Sequence, residues 1–377
     1  MIDKNQIWKI YGTAYKEMTE RILDKADLAG LIGSRDKKIC IKPNLVTASP
    51  AEFGGTTHPE VVEGILTYLG EHGFKDLVIA EGSWVGDRTR EAIEICGYKS
   101  LCERYKVPFI DTQREKSHSV DCAGMELNVV DFVDSIDFLI NVPVLKGHCQ
   151  TKITCALKNL KGLIPNSEKS RFHTMGLHKP IAHLQTAIKQ DFIVVDHICG
   201  DLDFEEGGNP VVRNCVMAGL DPVLIDSYVC SLLGYETAEV PYITFSEQLG
   251  IGKSDLGAAE IINLGLYGES SQGSLGACQE IDELPRERKL LEVSYAVTEA
   301  NSCSACYASL VGALWRLREE GILEKLDTTI GIGQGMRGKT GVLGIGRCTK
   351  DFDYSIPGCP PSEDAIYEGL KKYINGD

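Results

Sequence analysis

Between residues 38 and 111 the chain alternates short apolar runs with amphipathic helical ones, and this alternation narrows its possible folds more than any other feature. KICIKPNLV, LVIAEG and VPFIDT have the length and aliphatic content of buried strands. HPEVVEGILTYLGEHG and REAIEICGYKSLCERY, lying between them, place apolar residues at helical spacing. Strand, helix, strand in this order pairs the strands in parallel and lays the helices on the sheet faces. The expected fold is α/β, a mostly parallel sheet with helices on both faces. Thr57 with Glu60 three residues on predicts a capping box for the first of these helices. A charged amphipathic helix, YKEMTERILDKADLAGLIG, precedes KICIKPNLV, read as the first strand. SVDCAGMELNVVDFVDSI reads as a hairpin, DFIVVDHI as a further buried strand and GLDPVLIDSYVCSLLGY as a helix. No internal repeat is evident.

Charge singles out one part of this alternation. The net charge is -15, yet residues 138–190 hold one acidic residue, Glu168, against seven lysines and one arginine, with four of the eight histidines, His148, His173, His178 and His183. This basic island opens with DFLINVPVLKGHCQTKITCALKNLKGLIP. It reads as a buried strand, a loop, and a helix capped by Thr151 with Ile153, Leu157 and Leu160 on one face. Such a helix start, with Lys146 and Lys158 beside it, is a natural place for a small anion. In open α/β sheets the site lies beyond the carboxyl ends of the strands, a rule that gathers Asn44, Glu81, Lys146, His148 and Asp196 on one edge. His148 is the candidate proton donor, since imidazole titrates near neutral pH. Asp196, His197, Asp201 and Asp203 offer a weaker divalent-metal grouping, and His173 and His178 are expected in a loop able to cover the site.

Lys146-Gly147-His148, Thr154 and Lys158-Asn159-Leu160-Lys161-Gly162 after an apolar strand resemble the family catalogued as domain of unknown function 362. Lys42-Pro43-Asn44-Leu45, Thr57-His58-Pro59-Glu60-Val61-Val62 and Asp221-Pro222-Val223 with Asp226 extend the resemblance over residues 38–236. Members often carry Thr where this chain has Gly147. The resemblance implies an α/β fold and an iron–sulfur cofactor, and it leaves the substrate open. Asn44, Thr151, Lys158 and Asn159 are taken as substrate-binding, with His148 and Lys146 as the catalytic pair.

Composition excludes several classes. So acidic a chain lacks the basic face that a nucleic-acid binder needs to displace counterions. No run approaches eighteen apolar residues, and MIDKNQIWKI has no signal-peptide core, so a cytoplasmic protein without membrane contact is expected. Fourteen cysteines without a secretory signal fit reduced thiols, a subset of them binding metal.

That subset is expected in a smaller C-terminal cysteine-rich α/β subdomain, residues 286–377, following a core of residues 1–285. Cys303 and Cys306 form C-x-x-C at the start of a helix stopped by Gly321. Cys348 lies in GIGRCTK, and Cys359 follows after ten intervening residues, ahead of two prolines. Four thiolates on short turns suit a [4Fe-4S] cluster, a reading that cysteine followed by proline strengthens. A four-cysteine zinc site is the alternative, although zinc ribbons usually pair two close knuckles. The glycines of GIGQGMRGKTG mimic a dinucleotide loop but lack its distant acidic residue, and they are read as packing against the cluster. The combined expectation is a reductase that passes electrons from a ferredoxin-type donor to a small anionic substrate. A non-redox racemase, lyase or hydratase with a structural cluster, and a non-enzymatic electron carrier, are the alternatives.

Overall fold

A computed structural model describes residues 2–203, 205, 207, 210–267 and 289–376. The chain forms two compact units. One comprises Met1–Gly147, Thr151–Lys169 and Leu177–Leu284; the other comprises His148–Gln150, Ser170–Gly176 and Pro285–Asp377. The boundary expected between residues 285 and 286 falls within 268–288, outside the described residues.

The strands of the first unit, in chain order, are β1 (Gln6–Gly12), β2 (Ile39–Pro43), β3 (Leu77–Glu81), β4 (Phe109–Asp111), β5 (Ser117–Asp121), β6 (Glu126–Val130), β7 (Phe138–Val142), β8 (Lys146–His148), β9 (Lys152–Thr154), β10 (Phe192–Asp201), β11 (Pro210–Gly219) and β12 (Glu260–Tyr267). Eight of them build one sheet in the order β12-β1-β11-β10-β7-β2-β3-β4. The half of the sheet that the alternation announces is parallel throughout: Ile39 lies opposite both Phe138 and Leu77, and Ile79 opposite Phe109. Only β11 runs antiparallel to its neighbours. Strands β2, β3, β7 and β10 are buried along their whole length, as expected where helices cover both faces. Met18, Ile22 and Leu23 of the helix Tyr15–Ala26 and Val61, Val62 and Ile65 of Pro59–Glu71 join Ile39, Ile41, Ile79 and Ile140 in one core. The expected hairpin is present as β5 and β6, paired antiparallel with Asp121 opposite Glu126.

Four local expectations are corrected. The first strand is β1, ahead of KICIKPNLV, and it takes its place by pairing with β11 and β12 more than 190 residues away. Thr57 does not cap the helix Pro59–Glu71. His58 holds the cap position, and the Thr57 hydroxyl donates to Val142 O at 2.8 Å while accepting from Asn44 N. No helix starts at Thr151 either. Lys146–His148 and Lys152–Thr154 are strands, Lys152 has φ +65°, and the helix runs only over Ala156–Asn159. A left-handed residue cannot sit in the first turn of a right-handed helix, so the helix begins where that conformation has been left behind. Lastly, His173 and His178 lie in the helices Asn166–Thr174 and His178–Leu184, not in a loop.

The second unit has its own four-stranded parallel sheet, β13 (Val297–Glu299), β14 (Ile330–Ile332), β15 (Leu343–Ile345) and β16 (Tyr354–Ile356), in that order. Val297, Ile330, Leu343 and Tyr354 share one register row. The helices Ser304–Glu319 and Glu363–Asn375 complete it.

Candidate functional site

Because the four strands of the small sheet are parallel and in register, their carboxyl ends deliver four turns to one edge. From β13 the chain reaches Cys303, which caps the helix Ser304–Glu319 and puts Cys306 in its first turn. From β15 it passes Gly346 and Arg347 to Cys348; from β16 it passes Pro357 and Gly358 to Cys359. The last two turns are tied together, Arg347 N donating to Gly358 O and Gly346 N to Ile356 O, each at 2.8 Å. Gly346 has φ +84°, and a Cβ there would lie 4.0 Å from Cys306 Sγ, so this glycine is both a turn residue and a neighbour of a cysteine. Register then reveals a repeat that the sequence reading did not register: IGIGQG, LGIGRC and YSIPGC align so that Gly335, Cys348 and Cys359 occupy equivalent positions.

The four thiols sense one another. Burial pushes the Cys306 thiol up to about 12, helped by charge on Cys303, Cys359 and Cys348. Burial raises Cys303 as well, followed by the influence of Cys348 and Cys359. The turn without a cysteine contributes polar groups instead. The Gln334 amide donates to Cys303 Sγ at 3.6 Å, and the Arg337 guanidinium hydrogen-bonds Cys348. Thus the GIGQGMRG glycines form a strand and turn beside the cysteines. Among the described residues, no three Cys, His, Asp or Glu side chains are drawn together as tightly as a single metal ion requires.

In the same unit, Gln150 extends its amide to Ser302 O, to Ser302 Oγ at 3.1 Å and to Glu299 Oε1 at 3.4 Å. Its backbone N–H donates to His148 Nδ1 at 3.0 Å. His148 is 1% exposed. With Nδ1 accepting, the resting ring is neutral and carries its proton on Nε2; it becomes a proton donor only as the imidazolium, once Nδ1 has taken a proton in place of the Gln150 hydrogen bond.

The first unit gathers Asn44, Lys146, Lys158 and Asn159, all buried. Asn44 Nδ2 donates to Asn159 Oδ1 at 3.0 Å, and Asn159 Nδ2 to Asn141 Oδ1 at 2.7 Å. Lys146 Nζ donates to Gly55 O at 2.5 Å, to Glu205 O at 2.6 Å and to Asn44 Oδ1 at 3.3 Å. Lys158 Nζ reaches Thr154 Oγ1 at 3.0 Å and the Glu205 carboxylate at 2.7 Å. His178 lies close enough to Lys158 that burial and this charge together lower its pKa. The Thr151 hydroxyl donates to Ile153 O at 3.0 Å. The helix start is met by an internal carboxyl group: Asp226 accepts from Ala156 N at 2.7 Å and from Leu157 N at 3.2 Å. Asp196, expected at the strand ends, takes both the backbone N–H and Nδ1 of His58, at 2.7 and 2.8 Å, so it serves to position a histidine.

A second buried charge group lies at the ends of β2 and β3. Lys42 Nζ contacts Glu81 at 2.7 Å, and Lys169 Nζ donates to Gly82 O at 2.9 Å and Ser83 O at 2.8 Å. Gly162, the last residue of the KNLKG string, is required here because a Cβ would come within 1.7 Å of Glu81 Oε1. Burial pulls the Lys169 ammonium down from 10.5 to about 7. Between these values the unfolded chain holds a proton that the folded chain has released, so this group adds stability as pH rises through the window. The Lys169→Met variant lacks this gain. Its thermal midpoint should fall progressively further behind that of the wild type between pH 7 and 10, whereas a constant gap would rule out the depressed ammonium.

Among the described residues no helix is long and apolar enough to cross a membrane. A thylakoid-associated protein, sll1697, of Synechocystis sp. (strain ATCC 27184 / PCC 6803 / Kazusa) is 25% identical over 235 residues, 59% of this chain and 70% of that protein. The lactate racemase apoprotein from Thermoanaerobacterium thermosaccharolyticum is a structural relative with a TM-score of 0.36 and 16% identity. That match covers 56% of this chain and 53%, about half, of the racemase chain. Residues 39–231, just over half of the chain, match the family described as domain of unknown function (DUF362); they contain the strand ends, the buried lysines and the KNLKG string described above, and the chain belongs to that family.

Proposed function

We propose that this protein is a cytoplasmic iron–sulfur reductase that takes electrons from a ferredoxin-type donor and acts on a small anion bound at Lys146 and Lys158. The observation that carries the reading is the delivery of Cys303, Cys306, Cys348 and Cys359 to one edge of a parallel sheet by three strand ends and a helix start. The donor set fits a cluster better than one zinc ion. Tetrahedral zinc draws its thiolates to within about 3.8 Å of one another, given bonds of ~2.3 Å. A cubane spreads its four cysteines farther apart, which suits thiols supplied by three separate strand ends and a helix start. A [4Fe-4S] cluster held by these four residues would supply single electrons.

The chain's own groups would do the rest. The N-terminus of the helix Ser304–Glu319, together with Gln334 and Arg337, offsets thiolate charge. Lys146 and Lys158 would hold the substrate's negative charge, the Asn44 and Asn159 amides fix the position of Lys146, and His148, once protonated on both nitrogens, would donate the Nε2 proton and be left as the neutral ring.

Iron, acid-labile sulfide and zinc are to be measured on anaerobically purified protein, with electron paramagnetic resonance before and after dithionite. About four iron and four sulfide per chain and a reducible signal are expected; one zinc without iron would overturn the reading. In reoxidation assays of the reduced protein with a panel of small oxo-acids and inorganic oxyanions, His148→Ala should cut turnover by about 100-fold or more with iron content unchanged. Unchanged turnover removes His148 from the proton-donor role.

A further inference from the structure

Lys42 and Lys158 are both buried lysines, and they obtain their counter-charges in different ways. Lys42 faces Glu81 from adjacent core strands, both side chains almost wholly buried. Such a pair is part of the sheet. Lys158 takes a counter-charge, and Lys146 one of its acceptors, from the same residue outside the sheet, Glu205, which follows Asp201 and Asp203 in an acidic segment. The Glu205 carboxylate meets Lys158, its backbone carbonyl meets Lys146, and the side chain keeps 14% of its exposure. Two acceptor oxygens from one surface residue therefore occupy the two lysine positions that an anionic ligand would need. The route by which this segment arrives is equally specific. Leu202 O packs against Gly147, where an added Cβ would stand 1.8 Å away, so the segment seats on a position that has no side chain.

We propose that Glu205 is a built-in stand-in for the ligand, and that the pocket of Lys146, Lys158 and Thr154 receives a small carboxylate carrying a second acceptor oxygen, which enters as Glu205 leaves. The carboxylate of the ligand takes the place of the Glu205 carboxylate on Lys158, beside the Thr154 hydroxyl that Lys158 also meets, and the second oxygen takes the place of the Glu205 carbonyl on Lys146. Competition with a tethered carboxylate weakens binding by the fraction of molecules in which Glu205 has left. The proposal deepens the substrate class of the function proposed above and needs no cluster.

The test is anion binding by calorimetry and thermal shift, with acetate and malonate as probes and chloride at equal ionic strength as control. Glu205→Ala should bind malonate saturably and at least tenfold more tightly than the wild type, with acetate weaker because it offers only the carboxylate. Adding Lys158→Met to Glu205→Ala should abolish the binding. Gly147→Ala, which retains Glu205 but displaces Leu202, should show the same gain and keeps the test decisive if Glu205→Ala folds poorly. If both variants respond to malonate as they do to chloride, or if binding survives loss of Lys158, Glu205 is a structural ion pair and the proposal fails. Iron content measured on the same preparations tests the cluster separately, so either reading can fail while the other stands.

Discussion

Cys306→Ala, purified anaerobically, is expected to retain less than about one iron per chain and to lose the reducible paramagnetic signal, while keeping its fold. The prediction follows from where this cysteine sits. It is in the first turn of the helix Ser304–Glu319, with Gly346 against its sulfur and the other three thiols within electrostatic reach. Without a metal the thiol is held protonated by burial, up to about 12, so removing it costs the apo fold little more than a small cavity. With iron bound the same position must be a thiolate, and no other described cysteine lies in this turn except Cys303, itself one of the four. Cys359 is exposed, so water can reach iron at its corner; Cys359→Ser should keep more iron than Cys306→Ala. Equal, full iron content in both variants would place any cluster elsewhere. A single zinc lost in both would identify a structural zinc site instead.

Much of this arrangement could be read from the residues. The parallel half of the large sheet follows from apolar runs alternating with helical ones. The C-x-x-C at a helix start was legible because both cysteines sit next to their capping position. The parts that were not legible have physical reasons. Strand β1 is mixed in polarity and held by partners far along the chain, so no local pattern marks it. The helix expected from Thr151 failed although Ile153, Leu157 and Leu160 keep helical spacing, because Lys152 is left-handed and the β-branched Ile153 and Thr154 continue as strand. Spacing counts side chains and is blind to the sign of φ. Glu205 stands in the acidic stretch GDLDFEEGGNP, whose composition gives no hint that one of its residues turns inward onto two lysines. The strand-and-turn repeat over residues 330–359 was visible in principle. Its third copy has Ser355 and Pro357 where the first two have glycine, and Gly358 where they have Gln334 and Arg347, so the glycine spacing that would mark the repeat is lost.

Asp226→Ala should be the most damaging substitution in the large unit outside its apolar core, with a loss of about 2–4 kcal/mol in unfolding free energy. The carboxylate, fully buried, accepts from Ala156 N and Leu157 N and so caps the short helix that carries Lys158 and Asn159. Alanine leaves two buried N–H groups without their acceptor, and a helix of one turn has few other bonds to hold it. Lys158 should then lose its fixed position, so malonate binding in the Glu205→Ala background should fall together with stability. Asp226→Asn separates geometry from charge. Burial lifts the Asp226 carboxyl from 3.8 to about 7, against the backbone hydrogen bonds that oppose the shift. The folded protein therefore holds this proton through a range in which the unfolded chain has already released it. Stability from this group is greatest below the unfolded value and declines as pH rises towards the folded one. Asparagine is neutral at every pH and keeps one acceptor oxygen, so its deficit relative to the wild type should be largest near pH 4 and shrink towards pH 8. Chemical denaturation of the two variants and the wild type at four pH values would measure this. A deficit that instead grows with pH would mean that Asp226 is held as a carboxylate, its two N–H bonds outweighing the cost of burial.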